Sequence, residues 1–257
     1  MIHEAGHKIL KQSEIRQRAA QCRKSGCRFT GLCWFTGSCL LPSEHCDEHR
    51  DSLGARMQMM TDLAPGDHVY RLSEPFAGVV VVTNGWLKTY TVDSDGTEQI
   101  VSFITGGELA GLEALEDGTH KHNAVALCKT SCCLLDVDDF AEVCKNQPDV
   151  LKEFLAVFGA ALRKQEILAG NYSSTEKLAA FLMDLLARSD IDPSASRTLS
   201  LPMTHHDIAS YLAMAPETLS RQIKRLIKSG LIKSSGKHLE IIDPGGLAKT
   251  ADGALMV

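Results

Sequence analysis

Short β-branched runs broken by Asn-Gly and Asp-Gly give way, near Gln147, to apolar residues at three- and four-residue steps. This change of period divides the chain. Before it, Leu63-Ala-Pro-Gly-Asp67 marks a turn, Val79–Val82 leads into Thr83-Asn84-Gly85, and Trp86–Val92 runs to Asp93-Ser-Asp-Gly96. Gln99–Ile104, an apolar stretch around Leu109–Leu115 and Ala124–Leu135 follow. Asn-Gly and Asp-Gly between β-branched runs are strong hairpin signals, and several short strands at ~8–12-residue spacing favour a sandwich or barrel. The spacing predicts a small antiparallel β-barrel. After Gln147, Val150, Leu151, Phe154, Leu155, Phe158 and Leu162 form the stripe of a long helix. That stripe is apolar enough to pair with its twin, which predicts a homodimer. Gly170-Asn171 interrupts it, and Ser174–Ala187 resumes a helical pattern.

The last segment carries the clearest chemistry. Thr204 caps a short helix over His205–Leu212, Ala213-Met-Ala215 makes a turn, and Pro216 opens a second helix with Glu217 in its first turn. Leu219, Ile223, Leu226 and Ile227 are placed inward, while Glu217, Ser220, Arg221, Lys224 and Lys228 recur on the other face. Gly230 ends the helix, and 231–242 reads as a hairpin wing. Two short helices with a tight turn and a wing form a winged helix-turn-helix. At the start of such a helix Glu can accept from cytosine and Arg can fork onto guanine. Lys224, Arg225 and Lys228 are placed to meet phosphate. Met203–Lys237 holds six basic and two acidic residues, a local charge of +4, on a chain whose formal net charge is −5. The basic segment alone is thus expected to meet a polyanion, double-stranded DNA.

Five of the nine cysteines fall between Cys22 and Cys46, among polar residues. The start MIHEAGHKIL lacks a signal-type apolar core, and no run reaches the ~18 apolar residues of a membrane span. A cytoplasmic location is expected, where thiols stay reduced and a dense cysteine patch points to metal or redox chemistry. Residues 1–50 offer no periodic pattern that would build a core, so a bound metal or the rest of the chain must order them. The expected organisation is an α+β chain: a Cys-rich segment (1–50), a β-barrel sensor domain (51–146), a dimerisation helix and hinge (147–188), and a winged helix-turn-helix (189–257).

This order resembles the CRP/FNR family of bacterial transcription regulators. Glu217-Thr-Leu-Ser220-Arg221 looks like the Glu-x-x-Ser-Arg recognition motif of the FNR (fumarate and nitrate reductase regulator) branch. Gly96-Thr-Glu-Gln-Ile100, Gly106-Gly-Glu-Leu109 and Ala124-Val-Ala-Leu127 resemble its barrel, a cyclic-nucleotide-binding-like fold. The resemblance implies a symmetric dimer on TTGAT-type half-sites of a palindromic operator, with RNA polymerase as a further partner and no catalysis. It implies an oxygen- or nitric-oxide-labile 4Fe–4S cluster on Cys22, Cys27, Cys33 and Cys133. Cys27-x5-Cys33 has the family's spacing, and an ungapped match brings Cys133 onto the barrel ligand. Cys39 is an alternative to Cys22, and Cys132 to Cys133. Cyclic-AMP-binding members hold the phosphate with an Arg where this chain has His122-Asn123-Ala124, so no cyclic nucleotide is expected.

Other inputs fit the same DNA reader, namely haem or a thiol–disulfide switch over Cys22–Cys46. A zinc enzyme using His3, His7, His45 and His49 is the remote alternative, and no His-Glu-x-x-His spacing supports it.

Overall fold

The computed structural model describes residues 58–106, 108–146, 151, 155, 158, 159, 162, 170–188 and 197–251. The chain divides into two compact units, Met1–Thr91 with Val101–Val157, and Val92–Ile100 with Phe158–Val257.

Wholly or mostly within the first unit lie β1 (Gln58–Leu63), β2 (His68–Tyr70), β3 (Val79–Asn84), β4 (Trp86–Val92), β5 (Glu98–Thr105), β6 (Leu109–Ala110), β7 (Asn123–Ala126) and β8 (Thr130–Leu135). These strands form two four-stranded sheets, in the orders β1-β8-β3-β6 and β2-β7-β4-β5. The expected closed barrel is therefore corrected: neither sheet closes on itself. Closure needs an unbroken ring of strand pairing. Here the two-residue β6 and three-residue β2 end their sheets after one neighbour each.

Asn84-Gly85, read as a hairpin, is instead a corner between the sheets. β3 pairs with β6 and β8, whereas β4 pairs with β7. Gly85 has φ +89°, and a Cβ there would stand 2.6 Å from the Lys129 carbonyl oxygen. Thr130, fully buried, fastens the corner: its Oγ1 donates to the Cys128 carbonyl at 2.8 Å and accepts from the Trp86 N–H at 3.2 Å. Asp95-Gly96, by contrast, does join neighbouring strands, β4 and β5.

Met60, Leu63, Val80, Val82, Leu87, Ile104, Ala126 and Cys132 share one core. Val79 and Val81, on the alternate face of β3, are buried as well. Four consecutive buried valines signal a strand covered on both sides. The run 124–135 is two strands, and after β8 a helix the sequence reading missed, α1, spans Val137–Asn146. Its entry is marked by Asp136, whose Oδ1 accepts the Asp138 N–H at 2.9 Å. Beyond it, residues 151, 155, 158, 159 and 162 are helical.

Beside a short 3-10 turn (Leu112–Leu115) lies a compact polar cluster. The buried His120 ring stacks on Tyr70 at 3.8 Å, and its Nδ1 lies 3.4 Å from Glu113 Oε1. His122 Nδ1 is 3.8 Å from the same oxygen. Burial pushes the Glu113 carboxyl up, but the His120 hydrogen bond and nearby imidazoles outweigh this and hold it below its ordinary value. Burial lowers His122, with Glu113 partly opposing.

The second unit comprises α2 (Ser174–Arg188), β9 (Thr198–Ser200), α3 (His205–Tyr211), α4 (Pro216–Lys228), β10 (Ile232–Ser235), β11 (His238–Ile241) and α5 (Pro244–Thr250). Leu178, Phe181, Leu182 and Leu185 of α2 are buried, as are Ile208, Leu219, Leu226 and Leu247 of the other helices. β10 and β11 form the expected hairpin, and β9 adds a third strand through β11. β9 and α5 were not foreseen. The start of α5 carries a plain signal, Pro244 at its first turn and Asp243 capping the Gly246 N–H at 2.9 Å.

α3 and α4 end alike. The Ala213 N–H donates to the Ser210 carbonyl and the Met214 N–H to the Ala209 carbonyl, as the Gly230 and Leu231 N–H groups do to Ile227 and Leu226. Both are Schellman ends needing a left-handed residue. Gly230 supplies it at φ +70°, whereas α3 uses Ala213 at φ +50°.

Ala213→Gly should therefore raise the stability of this unit by about 1 kcal/mol, read from chemical denaturation. A decrease would contradict the strain. In the first unit, His122 has a folded pKa below its unfolded value, so stability falls as pH drops below ~6.5. Glu113 adds a further loss below ~4.3. Replacing Glu113 by Gln removes the influence that raises His122, so the melting temperature should fall more steeply between pH 6.5 and 5 than in the unaltered chain. A flatter profile would refute this coupling.

Candidate nucleic-acid interface

α3 is locked at its start. Thr204 Oγ1 accepts the Asp207 N–H at 3.0 Å, and the Thr204 N–H donates back to Asp207 Oδ2 at 2.9 Å. Such a reciprocal cap satisfies two orphan donors, and losing a cap costs about 1 kcal/mol. Asp207 is buried by this role, so it is not a surface charge. Three residues, Ala213 to Ala215, then carry the chain into α4, where Pro216 occupies the first turn.

α4 is divided by burial. Leu219 and Leu226 are buried, Ile223 is half-buried, and Ile227 is 40 % exposed rather than inward as its spacing suggested. On the opposite side Glu217, Ser220, Arg221, Lys224, Arg225 and Lys228 are all exposed. All six residues expected to meet DNA therefore lie on one open surface of one helix. Glu217 sits in its first turn, and Arg225 and Lys228 in its last. Arg221 Nη2 donates to Thr218 Oγ1 at 3.3 Å, drawing the guanidinium back toward the helix start. With Lys224, Arg225 and Lys228 beyond it, the helix offers an acid and a fork at one end and point charges at the other.

The wing is exposed as well. Ser235 pairs with His238 across a two-residue loop, Gly236-Lys237. Every residue from Lys233 to His238 is exposed. Lys233 and Lys237 were counted in the basic segment but not assigned a contact, because a charge on a hairpin declares its direction only once the register is known.

The cysteines divide differently. Cys22, Cys27, Cys33 and the alternative Cys39 lie outside the described residues. On β8, Cys132 pairs with Val82 and Met60 and belongs to the core, where burial pushes its thiol up to about 12. Cys133 pairs with Val81 and Met59 and points to the other face, also buried. Among the described residues no three His, Cys, Asp or Glu side chains converge as a metal site, and no helix is long and apolar enough to cross a membrane.

Comparisons with known proteins agree with this architecture. Residues 60–147 match the cyclic nucleotide-binding domain family and residues 176–250 the Crp-like helix-turn-helix domain family. The chain is 30 % identical over 245 residues to the transcriptional activator protein anr of Pseudomonas aeruginosa, covering 94 % of this chain and 98 % of that protein. It is 29 % identical over 242 residues to the transcriptional activator protein FnrA of Stutzerimonas stutzeri, covering 93 % and 96 %. Among solved structures, FixK2 from Bradyrhizobium japonicum is similar with a TM-score of 0.64 and 26 % identity, over 76 % of this chain and 96 % of that one. With a relative this similar along nearly its whole length, and with both domain families matched in this order, the chain belongs to the CRP/FNR superfamily of transcription regulators, on its FNR branch.

Proposed function

We propose that this chain is a cytoplasmic homodimer that reads palindromic TTGAT-type sites, with its DNA affinity set by a 4Fe–4S cluster on Cys22, Cys27, Cys33 and Cys133. The observation that carries the DNA-reading half is the open face of α4. Glu217, Ser220 and Arg221 are exposed at its first turns while Leu219 and Leu226 fix its back. Arg221 forks onto guanine and Glu217 accepts from cytosine, while Lys224, Arg225 and Lys228 neutralise phosphates.

Dimerisation is supported by the helical residues after α1. Leu151, Leu155 and Leu162 are 40 %, 55 % and 53 % exposed, at the four- and seven-residue steps of a pairing seam. A second copy covers them and spaces two α4 helices about one turn of DNA apart, ~34 Å. RNA polymerase is the expected partner on the promoter.

The donor chemistry fits an iron–sulfur centre. Thiolates are the ligands such a centre takes. Of the adjacent pair on β8, Cys132 belongs to the core cluster, whereas Cys133, the position that the family resemblance matches to the barrel ligand, is on the other face. When bound, the cluster supplies an oxygen- and nitric-oxide-sensitive tie between the N-terminal segment and β8. Cyclic nucleotides are disfavoured, because the chain has His122-Asn123-Ala124 where the family's cyclic-nucleotide binders carry an Arg for the phosphate, and the Glu113 carboxylate lies beside His122.

Arg221→Ala should lose ~10–100-fold in affinity for the TTGAT palindrome, with little change on scrambled duplex. Equal loss on both would refute base reading. Lys224→Ala should weaken binding to both and lower the salt slope by about 1. For the cluster, protein purified without oxygen should lose its iron in Cys133→Ser and keep it in Cys132→Ser. The reverse pattern would move the ligand to Cys132.

A further inference from the structure

We propose that Thr175 and Gln222 form a positioning pair that fixes the rotation of α4, and with it the direction in which Arg221 leaves the helix. The proposal rests on the DNA-reading assignment above.

Gln222 lies three residues after Leu219 and four before Leu226, both buried, and is itself half-buried. A leucine at such a position would gain apolar burial and need no partner. The chain instead carries an amide, and its Oε1 accepts the Thr175 Oγ1–H at 2.8 Å. This hydrogen bond joins two helices 47 residues apart in sequence.

The anchor is firm. Thr175 is the second residue of α2, and the start of α2 is held by a reciprocal cap. The Ser173 N–H donates to Glu176 Oε2 at 2.8 Å, and the Glu176 N–H to Ser173 Oγ at 3.3 Å. The side-chain bond to Ser173 keeps the Glu176 carboxyl below its ordinary pKa, so the cap persists through neutral pH. Gly170, just before it, leaves room for the Tyr172 ring, which a Cβ would overlap. Thr175 therefore presents its hydroxyl from a fixed point.

Leu219 and Leu226 hold α4 down, but apolar contact is non-directional and tolerates rotation about the helix axis. A hydrogen bond is directional. Arg221 and Ser220 precede Gln222 by one and two residues, about 100° apart each, so an angle fixed at Gln222 is fixed for both. Forked recognition needs the fork within about 10–20° of its productive direction. The Thr218–Arg221 hydrogen bond sets the side chain relative to α4, and Thr175–Gln222 sets α4 relative to α2.

The test uses the full chain prepared without oxygen, as the unaltered protein, Thr175→Val, Thr175→Ser, Gln222→Met and Thr175→Val with Gln222→Met. Affinities for the TTGAT palindrome and for a scrambled duplex of equal length are measured across a salt series, with melting temperatures alongside. The expected result is a loss of ~10-fold in the ratio of the two affinities for each single variant that removes the bond, about the discrimination of one weak base contact. Scrambled-duplex affinity and salt slope should stay unchanged. Thr175→Ser should keep the ratio, and the double variant should be no worse than either single one. An unchanged ratio in both Thr175→Val and Gln222→Met overturns the proposal. So does a parallel loss on both duplexes, which marks a merely structural role. An unaltered protein that fails to separate the two duplexes refutes the DNA-reading assignment itself; one that separates them while both variants match it refutes only the pair.

Discussion

Burial of Leu219 and Leu226 on one side of α4 decides what the other side can offer. A helix anchored by two fully desolvated side chains cannot turn its charged face inward without exposing them, at a cost of several kcal/mol for the pair. Glu217, Ser220, Arg221, Lys224, Arg225 and Lys228 are accordingly held in solvent together. The Thr204–Asp207 cap and the left-handed Ala213 serve the same end, because they set where α3 begins and where the chain turns into α4. An alanine in the position that glycine fills after α4 stores modest strain at the turn, just before α4 begins.

The DNA-reading unit was largely legible in the sequence because its signals are local. Thr204, Pro216 and Gly230 are cap and terminator residues whose meaning depends on a few neighbours, and α3, α4 and the wing lie where those residues place them. The errors arose where long-range geometry decides. Asn84-Gly85 has hairpin chemistry, yet a strand on each side joins a different sheet, because glycine also lets the chain press against Lys129 and Thr130. The same ambiguity led to a closed barrel being expected. Hairpin signals count strands but do not say whether the last strand meets the first. β9 escaped notice because its three residues become a strand only by pairing with β11.

The neighbouring thiols show how much one residue of register matters. A two-residue period sends Cys132 into the core and Cys133 to the opposite face. Sequence spacing alone left both open. Placement on β8 separates them by face, Cys132 in the core cluster with Met60 and Val82 and Cys133 on the other side of the strand. The proposed ligand set thus draws on three cysteines outside the described residues and one whose strand position is known. The His120–Glu113–His122 cluster is likewise invisible as a unit in the sequence, because a turn and the strand after it bring the three side chains together.

The most direct measurement follows a fluorescent TTGAT palindrome titrated with protein purified without oxygen, then with the same sample after exposure to air, while visible absorbance near ~400 nm and iron content are recorded. We expect a coloured, iron-containing protein that binds the palindrome tightly, and a bleached one that binds it no better than scrambled DNA. A colourless, iron-poor protein that grips the palindrome equally well before and after air would contradict the proposal that sulfur-bound iron controls DNA reading.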